Sequence, residues 1–149
     1  MRLEAAQVIE RRPEAVFRFV ATDHFRNHPK WDPAVEEMTP TSPGPMAEGA
    51  TARLVRRDRG RVMEGILTVT EYQPVHTFVA SSRFGPFTLR QRASLEPVPG
   101  GATRLHLAID TAATGPIRLL LPLLKPQFRK TMAASLLMIK QHVEAQTPR

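Results

Sequence analysis

The hydrophobic pattern of the chain changes period twice. Between Val35 and Asp110, apolar and polar residues alternate with period two, which is typical of strands in an antiparallel sheet with one buried face. The turn-forming residues 58–60 and 99–101 separate neighbouring strands as hairpins. The alternating segments are residues 51–57, 61–72, 77–82, 87–98 and 103–110. Residues 39–49, with three prolines and two glycines, are predicted to be a loop or an irregular edge connection.

The N-terminal part predicts one strand and two short helices. Residues 3–9 form the predicted strand, and Pro13 suits the first turn of a helix that ends near Ala21. A second helical segment follows, and Pro29 and Pro33 limit it to one or two turns.

The C-terminal part returns to the helical period. Apolar residues at steps of four, four, three and four predict one long amphipathic helix that ends near Ala145. These residues are Phe128, Met132, Leu136, Ile139 and Val143. The start of this helix stays open, because Pro122 and Pro126 each permit a start or force a kink.

This order of elements predicts an α+β fold in one domain over residues 1–149. A curved antiparallel sheet of six to seven strands would wrap around the long C-terminal helix, with the two short helices after the first strand. A glycine such as Gly65 can mark a bulge, so the strand register beyond it stays open.

Composition narrows the classes of protein. The chain has 149 residues, 42% of them hydrophobic, and no cysteine, which excludes disulfides and thiolate chemistry. The most apolar stretch, residues 116–126, is too short to span a membrane, and the N-terminus lacks a signal sequence, so we expect a cytoplasmic protein. Nothing predicts a cofactor, and the chain would be a monomer or a homodimer.

The formal net charge of +7 raises the question of an anionic partner. The basic residues are spread along the chain and are not interleaved with aromatic residues, as a nucleic-acid-binding surface would require. We therefore predict no nucleic-acid binding.

The segment HFRNHPKWDPAV, residues 24–35, concentrates polar and aromatic side chains. His24 and His28 have the i, i+4 spacing of helical metal ligands, but no third ligand is near, so we predict no metal site. Both histidines are expected to be exposed or capping groups. Trp31, the only tryptophan, is expected either to pack in the core or to form a wall of a binding site.

Six stretches, in this order and spacing, resemble the SRPBCC superfamily. They are VIERRPEAVFRFVAT, HPKWDPAV, TPTSPGPMAEG, VMEGILTVTEYQPVHTFVA, GGATRLHL and GPIRLLLPLLKPQFRKTMAASL. The resemblance extends from Leu3 to about Glu144. It implies the helix-grip fold of START lipid-transfer domains, birch-pollen-type allergens and the polyketide cyclase/dehydrase group. It also implies a cavity under the long helix that binds hydrophobic small molecules, with cyclisation or dehydration in some members.

Strand parity and the helix stripe predict which residues face that cavity, although some of them will be core. They are Trp31, Leu54, Leu67, Val69, Phe78, Leu89, Gln91, Leu107, Leu124, Phe128, Met132 and Leu136. Gln91 is the polar member of this set. Its amide must be bonded either to a buried backbone group or to an oxygen of a ligand.

Three functions stay open. The first is binding of a lipid- or polyketide-like molecule in a pocket of roughly 300–1,000 Å³. The second is a polyketide cyclase or dehydratase, which needs an acid or base in the cavity. Because Glu64, His106 and Asp110 are predicted to face outward, no inward acid–base pair is evident, which favours binding. The third is an interaction module without a ligand, in which residues 119–124 and the basic surface dock on a partner or an anionic membrane.

Overall fold

A computed structural model describes residues 1–146 and contains one antiparallel sheet with seven strands in the spatial order β1-β7-β6-β5-β4-β3-β2. Hairpins join the sequential neighbours from β2 to β7, and β1 pairs with β7 at one edge of the sheet. The strands are β1 (Arg2–Ile9), β2 (Val35–Pro40), β3 (Thr51–Asp58), β4 (Arg61–Gln73), β5 (Thr77–Phe84), β6 (Phe87–Val98) and β7 (Ala102–Ala113).

Three short helical segments connect β1 to β2. Helix α1 (Pro13–Phe17) begins at the predicted proline, and a π-helical turn (Arg18–Thr22) continues it. Helix α2 (His24–Trp31) is eight residues long, which agrees with the predicted limit of two turns. The two short helices after the first strand are therefore confirmed.

Helix α3 (Leu121–Glu144) follows a 3₁₀ turn (Pro116–Leu120). It begins beside Pro122 and continues through Pro126, so the open question about its start is decided in favour of the earlier proline. Met132, Leu136 and Ile139 are buried against the sheet, as the apolar stripe predicts. The predicted α+β helix-grip architecture is confirmed.

The two faces of the sheet differ as predicted. On β6, Ala93 and Leu95 are buried, whereas Arg92 on the opposite face pairs with Glu71. The carboxylates of Glu64 and Asp110 form ion pairs with arginines at the exposed surface, so they lie outside the core.

Gly65 does not mark the bulge that the sequence left open. The register of β4 against β5 shifts between Val69 and Glu71 instead. The backbone of β5 approaches Gly65 too closely for any side chain, because a Cβ built there would lie 1.8 Å from the carbonyl oxygen of Arg83. The inward parity predicted for Leu67 and Val69 is unaffected, and both side chains are buried.

Candidate functional site

A cavity of about 110 Å³ lies between the concave face of the sheet and the N-terminal half of α3. Strand pairing determines its floor, because Leu3, Ile109 and Gln91 lie side by side across β1, β7 and β6. Seven of the predicted residues line it: Trp31, Leu54, Leu89, Gln91, Leu107, Phe128 and Met132.

The other five predicted residues do not line this cavity. Four of them, Leu67, Val69, Phe78 and Leu136, are packed in the core and at most 2% exposed. Leu124 is half-buried on α3. Aromatic side chains fill the space next to these core residues, since the Phe78 ring lies 4.9 Å from that of His24. Ligand contact by these five residues remains a prediction, and it requires a conformation in which the cavity is wider.

The cavity is smaller than the expected 300–1,000 Å³, and the expectation of a large preformed pocket is wrong for this conformation. Bulky side chains such as Trp31, Phe84 and Phe128 border the space from several sides. An apolar cavity of about 150 Å³ holds one benzene molecule. The closed conformation therefore accepts one small ring at most, and a larger guest requires movement of α3 or its side chains.

Sequence reasoning missed ten residues that also line the cavity. Seven carry polar groups and three are apolar: His28, Asp32, Arg56, Ser82, Thr111, Thr131, Ser135, Leu3, Phe84 and Ile109. Strand parity could have identified several of them. Arg56 lies two residues after Leu54 and therefore on the same face of β3, and Thr111 lies four residues after Leu107 on the inward face of β7. On α3, Thr131 and Ser135 lie one turn apart on the face of Met132.

Arg56 forms the charged end of the cavity. Its Nη1 lies 2.9 Å from Oδ2 of Asp32 and its Nε lies 3.2 Å from Oδ2 of Asp58. Its guanidinium carbon also lies 5.3 Å from the centroid of the Phe84 ring. Burial disfavours the charge, but the attraction of both carboxylates outweighs it, and the pKa of Arg56 is raised. The cation is thus held by partners on two sides.

His24 and His28 are only 1% and 5% exposed, so the expectation that they are exposed is wrong. Helix α2 buries the face made by residues 24, 27, 28 and 31, and this i, i+3, i+4, i+7 spacing was visible in the sequence. Because Trp31 shares that face, both imidazoles enter the core together with the indole ring, which lies 5.5 Å from His24 and 5.3 Å from His28.

His24 orients Gln91. The Nδ1 of His24 donates to the carbonyl oxygen of Val20 at 2.9 Å, which leaves Nε2 to accept from the side-chain amide of Gln91 at 3.3 Å. Burial lowers the pKa of His24 to about 4, so the ring is neutral at physiological pH. Gln91 therefore bonds to a side chain, which neither of its two predicted roles included.

His28 carries an unsatisfied polar atom beside the cavity. Its Nε2 lies 3.7 Å from Oδ2 of Asp32, and its Nδ1 is buried without a hydrogen-bond partner among residues 1–146. Burial, with added repulsion from His24 and Arg56, lowers the pKa of His28 well below its usual value. A buried polar atom without a partner costs about 1–3 kcal/mol. A bound molecule or a water would recover that cost.

The cavity thus combines an apolar body with a polar end that contains a neutral imidazole and a carboxylate. This corrects the expectation that no titratable pair faces inward. Within residues 1–146, no three histidine, aspartate or glutamate side chains converge in a geometry that could hold a metal ion. In the same part of the chain, no helix has the length and apolarity needed to cross a membrane.

A larger depression of about 1,030 Å³ lies between α1, the turn that joins β6 to β7 and the C-terminal end of α3. It is open to solvent and charged side chains such as Arg12, Glu14 and Arg18 line it. None of the predicted contact residues borders it, so the enclosed cavity is the stronger candidate site.

Comparison with known proteins agrees with this architecture. A family model described as "Polyketide cyclase / dehydrase and lipid transport" matches residues 1–144. Curated protein sequences give no significant match.

Three solved structures share the fold at low sequence identity. The Zhui aromatase/cyclase from Streptomyces sp. R1128 is 12% identical, with a TM-score of 0.78 over 97% of this chain and 93% of that one. A START superfamily protein from Mycobacterium smegmatis is 18% identical, with a TM-score of 0.77 over 98% and 99%. Ara h 8.0201 is 13% identical, with a TM-score of 0.75 over 98% and 99%.

Proposed function

The chain belongs to the polyketide cyclase/dehydrase and lipid transport family, and from that premise we propose that it binds a small hydrophobic molecule in the cavity beneath α3. One observation carries this proposal: the cavity is apolar along most of its wall and includes one cluster of hydrogen-bonding groups, formed by His28, Asp32 and Arg56. This division is typical of sites that bury an apolar body and orient it through a few polar contacts.

The size of the cavity sets the strength of binding. A ring that buries about 150 Å² of apolar surface gains about 4 kcal/mol at 25 cal/mol per Å². That gain corresponds to a Kd of roughly 1 mM before any cost of association. Tighter binding therefore requires hydrogen bonds at the polar end, or a lipid- or polyketide-like ligand that opens the site.

The polar end favours a neutral group over an anion. Arg56 is already paired with Asp32 and Asp58, so the cluster has a net charge of −1 with all three groups ionised. A ligand carboxylate would meet the carboxylate of Asp32. A hydroxyl group can instead donate to Nδ1 of His28, which has no partner among the described residues, because Nε2 faces the carboxylate of Asp32 and carries the proton of the neutral ring. We therefore propose a ligand with a ring and a hydroxyl group.

Filling the cavity tests the proposal. The substitution Ser135→Leu places a larger side chain in the wall of the cavity, whereas Ala134→Leu places the same side chain on the exposed face of α3. We expect at least a tenfold loss of phenol affinity in Ser135→Leu and no loss in Ala134→Leu. Isothermal titration calorimetry measures both affinities, and thermal melting checks the fold. Equal affinity in the two variants, or no binding by the unsubstituted protein, would overturn the proposal.

A second function, a cyclase- or dehydratase-type reaction, is favoured by the carboxylate of Asp32 3.7 Å from the imidazole of His28. The lowered pKa makes the imidazole of His28 a weak base, so proton transfer from a bound substrate requires the carboxylate of Asp32 to stabilise the resulting cation. Turnover of an aromatic polyketide precursor that stops in His28→Asn while binding is retained would support catalysis. Binding without turnover in the unsubstituted protein would leave only the carrier function.

The remaining predictions concern the whole protein. We propose that it acts as a single domain over residues 1–149 in the cytoplasm, without a cofactor, as a monomer or a homodimer. Cell fractionation and analytical ultracentrifugation test the compartment and the oligomeric state.

A further inference from the structure

The start of α3 exposes leucines to solvent. Leu119 and Leu123 are 72% and 76% exposed, and Leu120 is also exposed. With Leu137 farther along the same helix, they make up four of the seven large hydrophobic side chains exposed among the described residues. Such a concentration on one segment is unusual for a surface that meets only water.

The same segment is strongly basic. Arg118, Lys125, Arg129 and Lys130 lie within it, and the sequence contains no acidic residue between Asp110 and Glu144. None of these four cations forms an ion pair with any residue of the chain from 1 to 146. Their charge is thus uncompensated. We name this region the basic leucine face; it consists of Arg118, Leu119, Leu120, Leu123, Lys125, Arg129 and Lys130. On α3, Lys130 lies on the same side as Leu123, whereas Lys125 and Arg129 lie farther round the helix.

We propose that the basic leucine face docks on the surface of an anionic lipid bilayer. Exposed leucines on a helix with basic neighbours are the pattern of segments that lie in the interface of a bilayer. Each basic residue near an anionic surface contributes about 1 kcal/mol, and the leucines add apolar burial. Docking of this kind is peripheral and needs no membrane-spanning helix.

The positive charge of the basic leucine face disfavours a dimer in which two copies of the chain meet through this face. A two-fold interface through this face would set the four cations of one protomer against the same four of the other. No acidic side chain of the segment is available to offset that repulsion. The shape decides against a protein ligand, because the exposed leucines project from the 3₁₀ turn and the first turn of α3 and do not line any of the clefts described above.

The basic leucine face lies next to the cavity. Phe128 and Thr131, which line the cavity, are on the turns of α3 that follow the exposed leucines, and the half-buried Leu124 lies between them. A docked protein would therefore bring this edge of the cavity close to the bilayer. Exchange of an apolar ligand with the bilayer would then avoid passage through water; this consequence, unlike the docking itself, rests on the proposed function.

Vesicle flotation tests the docking without any cavity ligand. The full chain is mixed with vesicles of phosphatidylcholine alone or of phosphatidylcholine with phosphatidylserine, at low and high salt. We expect binding to the anionic vesicles only, at least tenfold weaker at high salt because charges are screened within about 3 Å at 1 M. The double substitution Leu119→Ser with Leu123→Ser should weaken binding at least tenfold, as should Lys125→Glu with Arg129→Glu.

The matched control replaces two exposed apolar residues elsewhere. Val62→Ser with Ile66→Ser, on β4, should bind like the unsubstituted protein. Circular dichroism confirms that each variant folds. Absence of binding to anionic vesicles, equal binding to neutral vesicles, or unchanged binding of the leucine variant would overturn the proposal. So would binding of poly-glutamate without vesicle binding, or a dimer in sedimentation that the leucine variant abolishes. Failure here leaves the phenol titration, and hence the proposed function, unaffected.

Discussion

Burial keeps the imidazole of His24 neutral, and this has a measurable consequence at the residue scale. In the folded protein its pKa is about 4, whereas an unfolded chain has the ordinary value of 6.5. Between these values the unfolded state binds a proton that the folded state does not. The free energy of unfolding therefore falls as the pH drops through this window, by roughly 1 kcal/mol per pH unit.

This pH dependence can be measured by urea denaturation at about pH 7 and about pH 5. The contribution of His24 is complete above 6.5 and is lost by about pH 4. The substitution His24→Asn should reduce the pH dependence without removing it, because the pKa of His28 is also lowered. Leu137→Ala, at an exposed position, changes no titratable group; it serves as the control and should leave the slope unchanged. An unaltered slope in His24→Asn would contradict the attribution of this pH dependence to the lowered pKa of His24.

Several site residues were predictable one by one, and others were not. Alternation along β6 identified Leu89 and Gln91 as inward-facing, because a strand has only two faces. The same rule applied to Arg56, but a charged residue near a hairpin is normally solvated, so its type points away from the cavity. Only the positions of Asp32 and Asp58 make its burial tolerable, and their distances from Arg56 depend on the folded chain.

At the scale of the elements, the C-terminal end of α3 is joined to the segment after β1. The backbone N–H of Glu10 donates to Oε2 of Glu144 at 2.8 Å, and the side chain of Lys140 contacts the same carboxylate. The guanidinium of Arg11 donates to the backbone carbonyl of Glu144. These contacts hold the last turn of α3 against the first strand, and they keep the pKa of Glu144 low.

We expect Glu144→Ala to release this end of the helix. The loss of a charge-assisted hydrogen bond at a partly exposed position should lower the free energy of unfolding by about 1 kcal/mol. Hydrogen exchange should increase in the last turn of α3 and around Glu10, and phenol affinity should not change. Glu48→Ala, in the exposed loop after β2, is the matched control. Uniform exchange across α3 in both variants would show that the contact does not hold the helix end.

At the scale of the whole molecule, the sheet and α3 meet closely along most of their length and separate only near the N-terminal half of the helix. Phe128 borders that space on the helix side. Its ring is half-buried, so its removal enlarges the cavity at a limited cost in stability. The size of the bound molecule therefore depends in part on this side chain.

Phe128→Ala should therefore shift the selectivity towards larger ligands. We expect the ratio of 2-naphthol affinity to phenol affinity to increase at least fivefold, and the free energy of unfolding to fall by about 2 kcal/mol. Leu137→Ala, on the exposed face of the same helix, should alter neither quantity. Fluorescence titration and chemical denaturation measure these effects. A ratio that stays constant while stability falls would mean that Phe128 packs only against the core.

The sequence by itself determined the order of the elements, the two faces of the sheet and the apolar stripe of α3, because hydrophobic periodicity follows directly from strand and helix geometry. It also determined the resemblance to a helix-grip family. Only the tertiary structure decided that His24 and His28 are buried, that Arg56 faces the cavity between two aspartates, and that the cavity is small. Volume and pairing depend on distances between residues far apart in the chain, and no local pattern contains those distances.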